Sequence, residues 1–206
     1  MSENYLILNG VRYLVTDTRE TMCVSDECQI CTNKPILRDI PESDTCRIGD
    51  FEFIVCEHTE EGTVLLLKDL LYTSESFGND NNYNGSNVDK LCEEFADELE
   101  NIVLKENIIT HTVDLTADDG LKDYGTIERR VSLFTANQCR KYVSILDKHK
   151  IDKYWWTATA YSTPTHDDNT WVKCVSPHGG IYDLYCNYDD GVRPFCILNS
   201  NIFVSV

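Results

Sequence analysis

Helical periodicity is confined to the middle of this chain, and short strand-like runs stand on either side of it. Val88, Leu91, Cys92, Phe95, Leu99, Ile102 and Val103 recur at spacings of three and four, behind Ser86 and Asp89 placed as a capping box. A second stripe of Cys139, Tyr142, Val143 and Leu146 follows Thr135 and its box partner Gln138. Before them come Tyr5–Leu8 and Val11–Val15 around Asn9-Gly10, the pair most tolerant of a two-residue hairpin turn. Cys46–Ile48 and Phe51–Glu57 follow around Gly49-Asp50, then Thr63–Leu67. After them come Tyr154–Ala160, Trp171–Val175, Gly180–Leu184, Gly191–Leu198 and Ile202–Val206, separated by Gly-, Asp- and Asn-rich turns. Strands, two helices, then strands predict an α+β domain with helices beside an antiparallel sheet, not a doubly wound parallel one. Residues 16–45, irregular and Cys-rich, read as an extension of the first hairpin, giving segments 1–45 and 46–206.

Charge separates the chain further. Lys and Arg total 18 against 35 Asp and Glu in 206 residues, a formal net charge of −17. Residues 54–130 hold 6 basic and 18 acidic side chains, whereas 131–206 hold 7 of each, all three Trp and 12 of the 21 aromatic residues. Phosphate backbones repel such a chain, so direct nucleic-acid binding is not expected. No window offers the roughly 18 apolar residues of a membrane span, and Met1–Asn4 has no signal-peptide character, so no membrane insertion and synthesis in the cytoplasm are expected.

The ten cysteines are expected as reduced, mostly buried thiols. Cys23, Cys28, Cys31 and Cys46 are the alternative, a four-thiolate zinc site, although only Cys28 and Cys31 have the tight spacing usual for zinc. Asp80-x-Asn82-x-Asn84-Gly85 has the alternating oxygens of the first half of an EF-hand loop, but its twelfth position is Leu91; a structural Asn-rich turn is the other reading. The acidic turns 166–169 and 187–191 could hold a hard cation or be solvated loops. No HExxH, nucleophile elbow, Walker loop or dinucleotide fingerprint occurs, so the expectation is a protein that is not an enzyme and uses no cofactor.

Two surfaces are candidates for binding. Tyr, Trp and Asn suit recognition because they offer contact area at low entropic cost with adaptable hydrogen bonds. Tyr182 and Tyr185 stand an odd number apart and face opposite sides of a strand, so part of this aromatic set is expected in the core. The other surface is Asp89, Glu93, Asp97 and Glu100, whose spacing aligns carboxylates along one helix side as a phosphate-like array. That array would make the chain an inhibitor of a basic, nucleic-acid-binding host defence protein.

Several stretches in order resemble a known family. They are Arg47–Phe53, Leu65–Leu71, Phe77–Ser86, Tyr154-Trp155-Trp156-Thr157-Ala158, Val175 through Gly179-Gly180, and Gly191-Val192-Arg193-Pro194. Over about residues 46–203 the chain resembles the family catalogued as domain of unknown function 6273, common in gut bacteria, their phages and prophages. That family is similar to the C-type-lectin-like fold of formylglycine-generating enzymes and of the variable proteins of diversity-generating retroelements. The resemblance implies a C-type-lectin-like domain after an N-terminal β-hairpin extension, with loops 161–170, 176–180 and 186–191 as a display surface and Arg193 as a structural anchor. The candidate ligand-binding residues are then Tyr161, Asp167, Asp168, Trp171, Tyr185, Asn187, Tyr188 and Asp189. Neither Glu-Pro-Asn nor Trp-Asn-Asp occurs, so calcium-dependent sugar binding is not implied, and no redox-active cysteine motif points to formylglycine generation. The function implied is a virion-associated tail, fibre or capsid-decoration protein in a larger assembly, binding a protein or cell-surface glycan, with residues 1–45 docking it to virion proteins.

Overall fold

The computed structural model describes residues 35–206 and, before them, the backbones of three short strands. The strands are β1 (Asn4–Leu8), β2 (Val11–Val15) and β3 (Thr21–Cys23), in an antiparallel sheet of order β1-β2-β3. Leu8 pairs with Val11, the register that a two-residue Asn9-Gly10 connection requires, although the turn itself lies outside the described residues. The chain divides into two compact units, Met1–Pro35 and Ile36–Val206. The boundary falls ten residues before the expected 45/46 because Leu37 and Ile40 are buried in the second unit's core, and Ile36 bridges Phe203.

The second unit is α+β and dominated by sheets. Its strands are β4 (Thr45–Ile48), β5 (Phe51–His58), β6 (Thr63–Leu67), β7 (Tyr72–Ser76), β8 (Ile108–Ile109), β9 (His111–Asp114), β10 (Thr126–Arg129), β11 (Val131–Leu133), β12 (Trp155–Ala160), β13 (Trp171–Val175), β14 (Ile181–Tyr185), β15 (Asp189–Val192) and β16 (Pro194–Leu198). One sheet has the order β11-β16-β6-β5-β4, with β8 also on β16; the other is β14-β13-β12-β15-β7; β9 and β10 form a ribbon. Gly49 supplies the positive φ of the expected β4–β5 turn. Pairing is antiparallel except where β12 meets β15 through Trp155 and Gly191.

The expected single strand 191–198 is two strands in different sheets, parted at Arg193. That side chain is buried, donating from Nε to the Leu67 carbonyl at 2.9 Å and from Nη2 to Lys68 at 2.7 Å and His149 at 3.3 Å. Its guanidinium lies 5.4 Å from the Trp155 ring, and burial pulls its pKa down to about 10. Arg193 thus ties the crossover between sheets to the end of β6. The 202–206 segment makes isolated bridges instead of the expected strand.

Helix α1 (Asn87–Glu100) starts where expected: the Ser86 hydroxyl accepts from Asp89 N, and Val88, Cys92, Phe95 and Leu99 are buried. It ends before Ile102. The second expected helix is two, α2 (Ala136–Lys141) and α3 (Val143–Lys148), with the Thr135–Gln138 capping box intact. The break is at Tyr142, whose ring packs 5.3 Å from Phe134 while its hydroxyl donates to Glu57 at 2.7 Å. Val143, expected on the apolar stripe, is exposed.

Seven described cysteines, Cys46, Cys56, Cys92, Cys139, Cys174, Cys186 and Cys196, are buried free thiols. Burial pushes Cys46, Cys56, Cys92 and Cys174 up to about 12, so they are inert at neutral pH. Among the described residues no group of three His, Cys, Asp or Glu could hold a metal; the zinc reading depends on Cys28 and Cys31, outside the described residues, and on the side chain of Cys23, of which the backbone alone is described.

Candidate functional site

The register of β13 and β14 sorts their side chains between two faces. Val172 and Cys174 join the main core with Trp156 and Ala158. On the other face three cross-strand pairs succeed one another: Val175–Ile181, Lys173–Asp183 and Trp171–Tyr185. The first pair is covered by Cys139, Tyr142 and Leu146 of the α2–α3 segment, packed with Trp155. That helical cover is short, so the face turns ionic and then aromatic beyond it.

Lys173 is the ionic centre. Its Nζ lies 3.1 Å from Asp118 Oδ2, pairs closely with Asp183, and sits 5.5 Å from the Tyr161 ring. Asp118 also receives Arg140 of α2 at 2.6 Å. Burial pulls the Lys173 pKa down, but the two ion pairs outweigh it and hold the ammonium above its ordinary range. For Asp118 burial likewise opposes ionisation, and Arg140 and Lys173 together keep its pKa low.

Beyond Lys173, Tyr161, Asp168, Trp171 and Asp183 line a pocket of about 340 Å³. Tyr161 reaches it because its N–H bonds to the Trp171 carbonyl, 2.9 Å, as β12 ends. The aromatic surface continues outward, with Trp171 and Tyr185 centroids 4.0 Å apart and Tyr185 and Tyr188 5.9 Å apart.

The 161–170 loop is held from two sides. Asn81, fully buried, donates from Nδ2 to the carbonyls of Ser162 and Trp171, both 3.1 Å, and accepts from Tyr124 Oη at 2.6 Å. Asp119 accepts from Ser162 Oγ at 2.6 Å and lies 3.0 Å from His166 Nδ1; Asp123 accepts from Thr163 and Thr165, both 2.5 Å. Hydroxyl donors, with some opposing burial, hold both carboxyls below the usual range. Asp168 turns Oδ1 inward, accepting Thr170 N–H at 2.8 Å and Trp171 N–H at 3.3 Å. The loop is therefore preorganised, which lowers the entropy a ligand must remove on binding.

Of the eight candidate binding residues, Tyr161, Asp168 and Trp171 share the pocket, while Tyr185 and Tyr188 extend its aromatic rim. Asn187 is exposed on the adjoining turn and Asp189 at the start of β15, and Asp167 is exposed in a left-handed conformation, φ 57°, outside the pocket lining. The expectation that part of the Tyr set is core is overturned: Tyr182, Tyr185 and Tyr188 are 55%, 39% and 54% exposed. Tyr182 and Tyr185 do face opposite sides, opposite Cys174 and Trp171, but β14 ends its sheet, and at an edge both faces reach solvent. Sequence reading missed Lys173, Asp183 and Asp118. A lysine inside the apolar run Val172–Val175 was the available signal.

The alternative acidic surface requires correction. Asp89 is buried and clamped by Arg129, Nε to Oδ1 at 2.8 Å and Nη2 to Oδ2 at 2.7 Å. Arg130 pairs with Asp97 at 2.9 Å, with Glu93 at 3.8 Å, and closely with Glu100. Two arginines entering from the β10–β11 junction thus pair with all four carboxylates and offset half of their charge; Asp89 is withdrawn from the surface, whereas Asp97 stays exposed. The Asn-rich loop is structural: Asp80 and Asn82 cap the N–H groups of Asn82 and Asn84, Asn84 accepts from Arg129, and Leu91 packs against the core.

Among the described residues no helix is long and apolar enough to cross a membrane. Comparison with family models, curated proteins and solved structures finds no match to this chain.

Proposed function

We propose that the protein is a non-enzymatic recognition module of C-type-lectin-like type, working as an adhesion or attachment component of a phage or prophage virion. The observation that carries this reading is the preorganised pocket at Tyr161, Asp168 and Trp171 with Tyr185 and Tyr188 exposed beside it. Exposed aromatic side chains held by a rigid scaffold bind at low entropic cost. The sheet pairs that position them also leave Asp183 and Lys173 locked together, a partner for shape more than for proton transfer. The motif resemblance of residues 46–203 supports the virion setting.

The inhibitor reading has less support, because Asp89 is buried in its pair with Arg129 and Arg130 offsets part of the remaining charge. The test is retention of tagged full-length protein on intact gut-bacterial cells at low and high salt. Packed recognition survives salt, whereas charge steering does not. Retention at both salt levels, lost in Tyr185→Ala/Tyr188→Ala, is the expected result; absence of retention on every strain, or a variant that binds as wild type, overturns it.

A further inference from the structure

Resting on that reading of the site, we infer that the pocket at Tyr161, Asp168, Trp171 and Asp183 receives the cationic end of a basic side chain, a lysine ammonium or arginine guanidinium, presented by a protein partner. Its lining joins two aromatic rings to two carboxylates. Ring faces attract cations through their quadrupole, and in a partly desolvated site carboxylates add to that attraction. The molecule already makes this arrangement once: Lys173 Nζ lies over the Tyr161 ring with Asp118 and Asp183 beside it.

The charges leave room for a second cation. Asp118, Asp168 and Asp183 face two bases, Lys173 and Arg140, so the cluster keeps one net negative charge. The surplus is at Asp168, which forms no ion pair among the described residues and spends Oδ1 on the N–H groups of Thr170 and Trp171. An incoming anion would meet this surplus and be repelled.

Two features favour a cation carried on a polypeptide over a free amine. The volume, about 340 Å³, exceeds what an ammonium needs, and the exposed rings of Tyr185 and Tyr188 continue the surface outward. Strand β14, which carries Asp183 and Tyr185, is the terminal strand of its sheet, with no partner on its outer edge among the described residues. An extended segment can lie along such an edge while one side chain enters the pocket.

The test titrates full-length protein with the peptide acetyl-Gly-Lys-Gly-amide, its norleucine and acetyl-lysine counterparts, and n-butylammonium, following the Trp171 indole N–H by NMR. The expected result is a saturable shift with the lysine peptide alone, weakened at least fivefold by Asp168→Asn. Asp168→Asn keeps the Oδ1 acceptor, so the loop stays capped; Tyr161→Leu, at an exposed ring, gives an independent loss. Tyr182→Ala, outside the pocket, binds as wild type. Equal binding of lysine and norleucine peptides, or no shift with either, overturns the cation assignment, and n-butylammonium binding as tightly as the peptide overturns the polypeptide source. Cell retention that persists while the lysine peptide fails refutes this inference alone; loss of cell retention refutes the reading beneath it.

Discussion

Replacing Arg129 by Met separates the two accounts of the acidic helix. The Asp89 carboxylate is 3% exposed and takes two N–H groups from Arg129, leaving only Gly85 N–H, at 2.8 Å, once the guanidinium is gone. Stranding one partner of a buried pair costs about 3–5 kcal/mol. Two effects favour the lower end: Arg129 is 19% exposed, and Asp89 sits in the first turn of α1, where the helix dipole favours negative charge. The expected loss is therefore about 3 kcal/mol, read from urea unfolding by linear extrapolation. Because a neutral amide no longer needs the guanidinium, Asp89→Asn/Arg129→Met is expected to recover at least about 1 kcal/mol over the single variant. A single-variant loss below about 1 kcal/mol, or a double variant no more stable than the single, refutes the clamp and returns the helix face to the surface.

Three further outcomes follow from buried polar groups. Burial lowers His111 to about 4, against about 6.5 in an unfolded chain, so its contribution is complete above pH 6.5 and lost as pH falls toward 4. Wild type is expected to lose about 2–3 kcal/mol more between pH 7.5 and 4.5 than His111→Gln in urea titrations, and equal slopes contradict the assignment. Asp190 has the opposite sign: burial, then Asp189, raises it to about 6, so protonation favours the fold and that contribution disappears as pH rises from about 4 through 6. Asp190→Asn is expected to gain about 1 kcal/mol at pH 7, discounted for solvent screening, and nothing below pH 4 in thermal melts. Asn81→Ala orphans the Ser162 carbonyl and leaves the Trp171 carbonyl with the Tyr161 N–H alone, and should cost about 2 kcal/mol while speeding amide exchange across 161–171; unchanged exchange there contradicts its role as the loop's anchor.

The sequence makes some of this legible and hides the rest for identifiable reasons. Local signals hold: the Gly49 turn, the Ser86 and Thr135 caps and the buried stripe of α1 each depend on neighbours within four residues. What fails depends on partners far along the chain. The apolar run 191–198 reads as one strand because the carbonyls that seize Arg193 belong to Leu67, Lys68 and His149. The acidic helix reads as a free surface because the arginines that pair with it return 30 to 40 residues later. At the site, the family resemblance points to Tyr161, Asp168 and Trp171, but Asp183 enters only through the cross-strand register that sets it opposite Lys173. Edge position is likewise long-range information, and it exposes both faces of β14.

Oxidative footprinting of the protein held on intact bacterial cells tests the central claim most directly, because it reads each aromatic side chain in the bound state. The account predicts protection of Tyr161, Trp171, Tyr185 and Tyr188 relative to free protein, with Tyr72 and Phe203, exposed on other elements, oxidised at unchanged rates. Protection confined to Tyr72 or Phe203, with the four pocket and rim residues as reactive as in free protein, would contradict it.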